Sequence, residues 1–131
     1  MKYMLLMVAP KNGWEAFASI PPEDFQAHID FMQRFNAQLA EAGELVDAQG
    51  LDMPHNAKIV RAGERGEPVV TDGAFAEAKE FLAGYWIVDC ESEQRALELA
   101  AHISTAPGKG GVPMRFPVEV RRVMQLPGEE M

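Results

Sequence analysis

Both alternating sets of side chains in the opening segment Lys2–Ala9, Tyr3/Leu5/Met7 and Met4/Leu6/Val8, are apolar. Successive side chains of a strand point to opposite faces, so this segment belongs in the middle of a sheet that is covered on both sides. Any fold of this chain has to supply two covers for one strand. The same stretch places a seven-residue apolar run behind one cation, the minimum for a signal-peptide core, but Pro10, Lys11, Asn12 and Glu15 follow in place of a small-residue cleavage site. It is read as a strand. A membrane-crossing helix needs about 20 apolar residues, and no stretch approaches that.

The remaining elements follow from periodicity and turn chemistry. A loop at Pro10–Gly13 and the Pro21-Pro22 pair precede Glu23–Ala42, which carries Phe25, Ile29, Met32, Phe35 and Leu39 on one helical stripe and ends at Gly43, a natural cap. Glu44–Leu51 alternates as a short strand. Lys58–Arg61 and Pro68–Thr71 flank Gly63-Glu64-Arg65-Gly66 and read as a hairpin. Ala83–Cys90 is a strand. Ser92 caps a helix Glu93–Ser104, whose inward side is expected to hold Ala96, Leu97, Ala100 and Ile103. After a glycine- and proline-rich loop, Val118–Met124 closes the chain as a strand with Val118 and Val120 on one face and Glu119 and Arg121 on the other. Strand, helix, strand, hairpin, strand, helix, strand is the split βαβ order of a ferredoxin-like α+β sheet with two helices on one face and an extra hairpin.

The 131 residues predict one domain spanning 1–131, enough for one such layer but not for a second layer over the far side of the sheet. The simplest second cover is another copy of the same sheet, so a homodimer forming a dimeric α+β barrel-like assembly is expected. Twelve Lys+Arg against twenty Asp+Glu give a net charge of −8, which repels a phosphate backbone and argues against nucleic acid. The single cysteine, Cys90, permits no internal disulfide and fits a reducing cytoplasm. Placed between Asp89 and Glu91, its thiol should be raised in pKa, and it makes a poor nucleophile.

Two polar residues, His28 and Asn36, fall inside the apolar stripe of the first long helix, while Asp30 and Arg34 point the other way. Each inward polar group needs a partner. His28 is read either as a hydrogen-bonded core or interface histidine, or as a general acid/base lining a cavity. His102 and His55 are expected in solvent. The three histidines have no ligand spacing such as His-x-x-x-His, so no metal or cofactor is expected. Asp72 begins a turn with Gly73, and Glu77, Lys79 and Glu80 follow it closely. These charges read as a turn and a solvated face, or as carboxylates placed at a strand end to orient a histidine.

The segment VTDGAFAEAKEFLAGYWIVD resembles the signature of the YCII-related family in its DGPF-type branch. Asp72, Gly73, Phe75, Glu77, Lys79, Glu80, Gly84 and Tyr85 match it, and Ala74 replaces the motif's proline. The likeness runs over nearly the whole chain, from MKYMLLM to VEVRRVM. It implies a dimeric ferredoxin-like fold with a pocket between sheet and helix, in a family mostly without an assigned reaction. In related proteins a histidine and an aspartate have been put forward as an active-site pair, and one relative is implicated in halogen removal from a ring-cleavage product. His28 and Asp72 are the nearest candidates here. On this reading His28 is the acid/base, Asp72 its orienting partner, and Lys79 or Arg61 anchors an anionic or cyclic metabolite in an isomerase, lyase or hydrolase step, with Glu77 and Asn36 also contacting it. The same resemblance implies an alternative, a non-catalytic module that meets a sigma factor of the extracytoplasmic type.

Overall fold

The structure, a computed structural model, describes residues 1–73 and 80–128, apart from the side chain of Trp14. In chain order its elements are β1 (Lys2–Pro10), α1 (Lys11–Ala18), α2 (Pro22–Glu41), β2 (Leu45–Gly50), β3 (Lys58–Ala62), β4 (Pro68–Asp72), β5 (Glu80–Asp89), α3 (Glu93–Ile103) and β6 (Val118–Arg122). Four strands form an antiparallel sheet in the order β2-β5-β1-β6, and β3 and β4 form a two-stranded hairpin. β5 therefore separates β1 from β2, and β1 separates β5 from β6, so each pair of strands joined through a helix is split by a third strand.

The doubly apolar β1 lies in the interior of this sheet. Its Tyr3 and Leu5, with Trp86 and Val88 of β5, face Phe35 and Leu39 of α2 and Ala96, Leu99, Ala100 and Ile103 of α3, and these side chains form the buried core. Val118 and Val120 pair with Met7 and Leu5 and pack on the same core. The other alternating set, Met4, Leu6 and Val8, stays half-buried outside that core. Its cross-strand partners include Ile87 and Tyr85 on β5 and Arg121 and Glu119 on β6.

Local chemistry sets most boundaries. Gly43 follows the end of α2 with φ of 75°, where Glu44 N–H donates to Leu39 O at 2.9 Å and Gly43 N–H to Ala40 O at 3.1 Å, a left-handed cap that satisfies the last carbonyls. Ser92 Oγ accepts from Arg95 N–H at 3.1 Å at the start of α3. Glu44 and Arg95 add a two-pronged ion pair at 2.8 and 3.0 Å that ties the start of β2 to α3 and holds the Glu44 carboxyl below its usual range.

Three expectations need correction. Lys11–Ala18 is a helix where a loop is expected at Pro10–Gly13: Pro10 stands in the extended N-cap position, and the helix is secured by its ring contacts at Phe17. Leu97 is exposed at 45% and Leu99 takes its inward place, which gives α3 the spacing Ala96, Leu99, Ala100, Ile103. β6 ends at Arg122, two residues short of Met124.

Candidate functional site

At one end the layer between α2 and the sheet is filled by large residues, and at the other it is left open by small ones. Ala9, Ala48, Ala83 and Gly84 line the sheet side of a cavity of about 640 Å³. A register shift after Met7 puts both Ala83 and Gly84 on its floor, as a β-bulge does by setting two residues against one. Gly84 is required here on a second ground: a Cβ added to it would lie 2.7 Å from Gln49 O across the β2–β5 pair. The opposite wall is α2, through Phe25, His28, Ile29, Met32 and Asn36. Phe17 of α1 and Met114, Phe116 and Pro117 ahead of β6 add to the lining, as do Gln49 of β2, Tyr85 of β5, and Asp52 and Met53 beyond β2.

His28 is 6% exposed. Its Nδ1 lies 3.0 Å from Pro107 O, and because a carbonyl oxygen can only accept, that nitrogen carries the hydrogen. Nε2 is then the acceptor of the neutral ring. Phe17 meets the imidazole edge-on, with centroids 4.9 Å apart. Burial pushes the pKa of His28 down, and the bond to Pro107 opposes this more weakly. The ring is held neutral, in one tautomer, in an apolar wall.

Asn36 is fixed in the same manner. Trp86 Nε1–H, which can only donate, lies 2.7 Å from Asn36 Oδ1, and this leaves the Asn36 amide nitrogen with its hydrogens to spare. Asp52 accepts from its neighbours, Oδ1 from Met53 N–H at 2.8 Å and Oδ2 from Asn56 Nδ2 at 3.1 Å. Among the described lining residues there is no lysine or arginine.

The structure brings His28 and Asn36 to one wall. It does not bring Asp72 to them. Asp72 ends β4, where its carboxylate is 84% exposed and pairs with Lys58 Nζ at 2.6 Å across the hairpin. Arg61, on β3 opposite Val69, is exposed and does not line the cavity. Glu77 and Lys79 lie outside the described residues. His55 is exposed in a single 3-10 turn, Pro54–Asn56. His102 is exposed yet stacks on Phe31, with centroids 5.1 Å apart. Cys90 is buried away from the cavity; burial raises its thiol pKa first, and the carboxylate that adds to this is Glu44, not Asp89 or Glu91. Two contributors escape sequence reasoning: Pro107, which acts through a backbone carbonyl that no side-chain pattern announces, and Phe17, whose segment reads as a loop.

Comparison with known proteins agrees over most of the chain. The family model described as YCII-related domain matches residues 1–119. An uncharacterized protein of Rhizobium meliloti (strain 1021) is 31% identical over 128 residues, which cover 97% of this chain and 99% of that protein.

Proposed function

The chain belongs to the YCII-related family, and from that premise we propose that it binds a small molecule in the cavity between α2 and the sheet, with His28 Nε2 as a proton acceptor inside it. The single observation that carries this reading is the buried His28 ring on the cavity wall, whose Nδ1 hydrogen is committed to the Pro107 carbonyl. A base that titrates below the ordinary histidine value stays unprotonated at neutral pH, so its Nε2 lone pair is available to take a substrate proton. The carbonyl of Pro107 takes the orienting role expected of Asp72, and Asp72 is assigned to the hairpin. The strand order supports a ferredoxin-like sheet, and the half-buried set Met4, Leu6 and Val8 supports a homodimer through the face that the helices leave uncovered. The sigma-factor alternative ranks behind, since a cavity of this size argues for a small ligand.

The test is a neutral, apolar probe that reports a base directly. Removal of the C3 proton of 5-nitrobenzisoxazole by Nε2 breaks the ring N–O bond and releases a coloured cyanophenolate, with the proton left on the imidazole. Wild-type protein should accelerate this opening above buffer, with a rate that rises with pH and levels off once the imidazole is neutral. His28→Asn should return it to background. Wild-type rates equal to buffer would remove the proton-acceptor reading.

A further inference from the structure

Resting on the small-molecule reading of this cavity, we propose that its ligand is an uncharged, largely apolar molecule with a hydrogen-bond donor at one end for His28 Nε2 and a carbonyl-type acceptor at the other for the Asn36 amide. Both groups have their polarity fixed by partners that can play only one role. Pro107 O can only accept, so Nδ1 holds the imidazole hydrogen and Nε2 presents a lone pair. Trp86 Nε1–H can only donate, so Oδ1 of Asn36 faces the indole and the Asn36 nitrogen presents hydrogens. Neither Nε2 nor this nitrogen has a hydrogen-bond partner among the described residues, and His28 is nine-tenths buried on the cavity wall. The two positions are eight residues apart on α2, about 12 Å along its axis. The site is therefore read from its two ends, an acceptor at one and a donor at the other.

Charge excludes the anionic ligand that the sequence leads one to expect. The one ionised side chain among the described lining residues is the Asp52 carboxylate, in a chain of net charge −8. An anion entering between Phe17, Ile29, Met32 and Phe116 would lose its hydration without gaining a cation. For a cation the described lining offers one carboxylate, that of Asp52, an exposed residue that accepts from Met53 and Asn56 and is not buried among the apolar side chains. Arg61, the anchor expected for a carboxylate, is on the exposed hairpin instead.

Three flat probes of nearly equal size separate these outcomes near pH 7, with heat of binding and the Trp86 indole and His28 ring resonances as readouts. The first, 6-acetyl-2-naphthol, carries a hydroxyl donor and a ketone acceptor; 6-hydroxy-2-naphthoate replaces the ketone with a carboxylate; 6-acetyl-2-methoxynaphthalene blocks the donor. The naphthol should bind about tenfold or more tighter than each of the others, the value of one well-made hydrogen bond. Asn36→Asp keeps an oxygen for the Trp86 indole but deletes the amide donor, and should reduce naphthol binding by a similar factor. If the carboxylate or the methoxy compound binds as tightly as the naphthol, the proposed ligand class is overturned while the small-molecule reading stands. If none of the three moves the Trp86 and His28 resonances, both fail.

Discussion

His28 shows how a backbone carbonyl can do the work usually given to a carboxylate. The bond to Pro107 fixes ring orientation and tautomer without adding a charge that would draw the imidazole toward its protonated form. Burial then decides the balance and lowers the pKa below the ordinary histidine value of 6.5. The sign of the stability effect follows. Between the depressed folded value and the unfolded value, the unfolded chain binds more protons than the native one, so stability rises with pH across that window. The contribution of the neutral ring is fully present above the unfolded value near 6.5 and is lost as pH falls through the folded one. His28→Asn places an amide N–H where Nδ1 was and should preserve the Pro107 bond while removing this slope. His28→Leu leaves the carbonyl unpaired and should cost about 1–3 kcal/mol. Urea unfolding of the three proteins at several pH values checks both, and a wild-type slope equal to that of His28→Asn would disprove the assignment. The inward placement of His28 and Asn36 is legible from helical period alone. Their partners are not, because Pro107 and Trp86 lie 79 and 50 residues away in sequence.

Elements bounded by their own side chains are legible in the amino-acid sequence. The cap at Gly43, the Ser92 cap of α3 and the Gly63–Gly66 turn all use interactions within a few residues. α1 is hidden for the opposite reason: Pro10 and Gly13 read locally as breakers, and what secures Lys11–Ala18 is Phe17 packing on Phe25 and His28, a tertiary effect that outweighs propensity. Gly84 lies between these cases. It is visible as a motif glycine, yet its reason appears only when β2 is paired with β5 and Gln49 O comes within 2.7 Å of the place of a side chain. A backbone carbonyl cannot yield as a flexible side chain does. Gly84→Ala should therefore push β2 away from β5, destabilise the fold by about 1–3 kcal/mol and alter the cavity floor. Denaturant midpoints and the Trp86 indole resonance would register the two effects, and an unchanged midpoint would refute the close-approach argument.

At the scale of the molecule, the described residues give the opening strand only one of the two covers that its apolar faces demand. The helices take the Tyr3 and Leu5 side; Met4, Leu6 and Val8, with Ile87 beside them, remain half-buried outside the core. The β3–β4 hairpin adds to the same deficit, with Val60, Val69 and Val70 each more than half exposed. A two-stranded hairpin is marginal by itself in water and gains from a surface to lie on. A net charge of −8 opposes self-association, but the uncovered face carries both signs at its edge, Arg121 opposite Met4 and Glu119 opposite Leu6, so a two-fold contact can set opposite charges against each other. Light scattering on the purified chain at micromolar concentration should give twice 14.5 kDa. Unfolding midpoints should rise with protein concentration, since dissociation and unfolding are then coupled. Leu6→Glu, a charge placed on the face that the helices leave uncovered, should shift the mass to that of one chain and abolish the concentration dependence. A wild-type mass of 14.5 kDa, with midpoints independent of concentration, would mean that β1 tolerates water on its second face and that its apolar pattern has another cause.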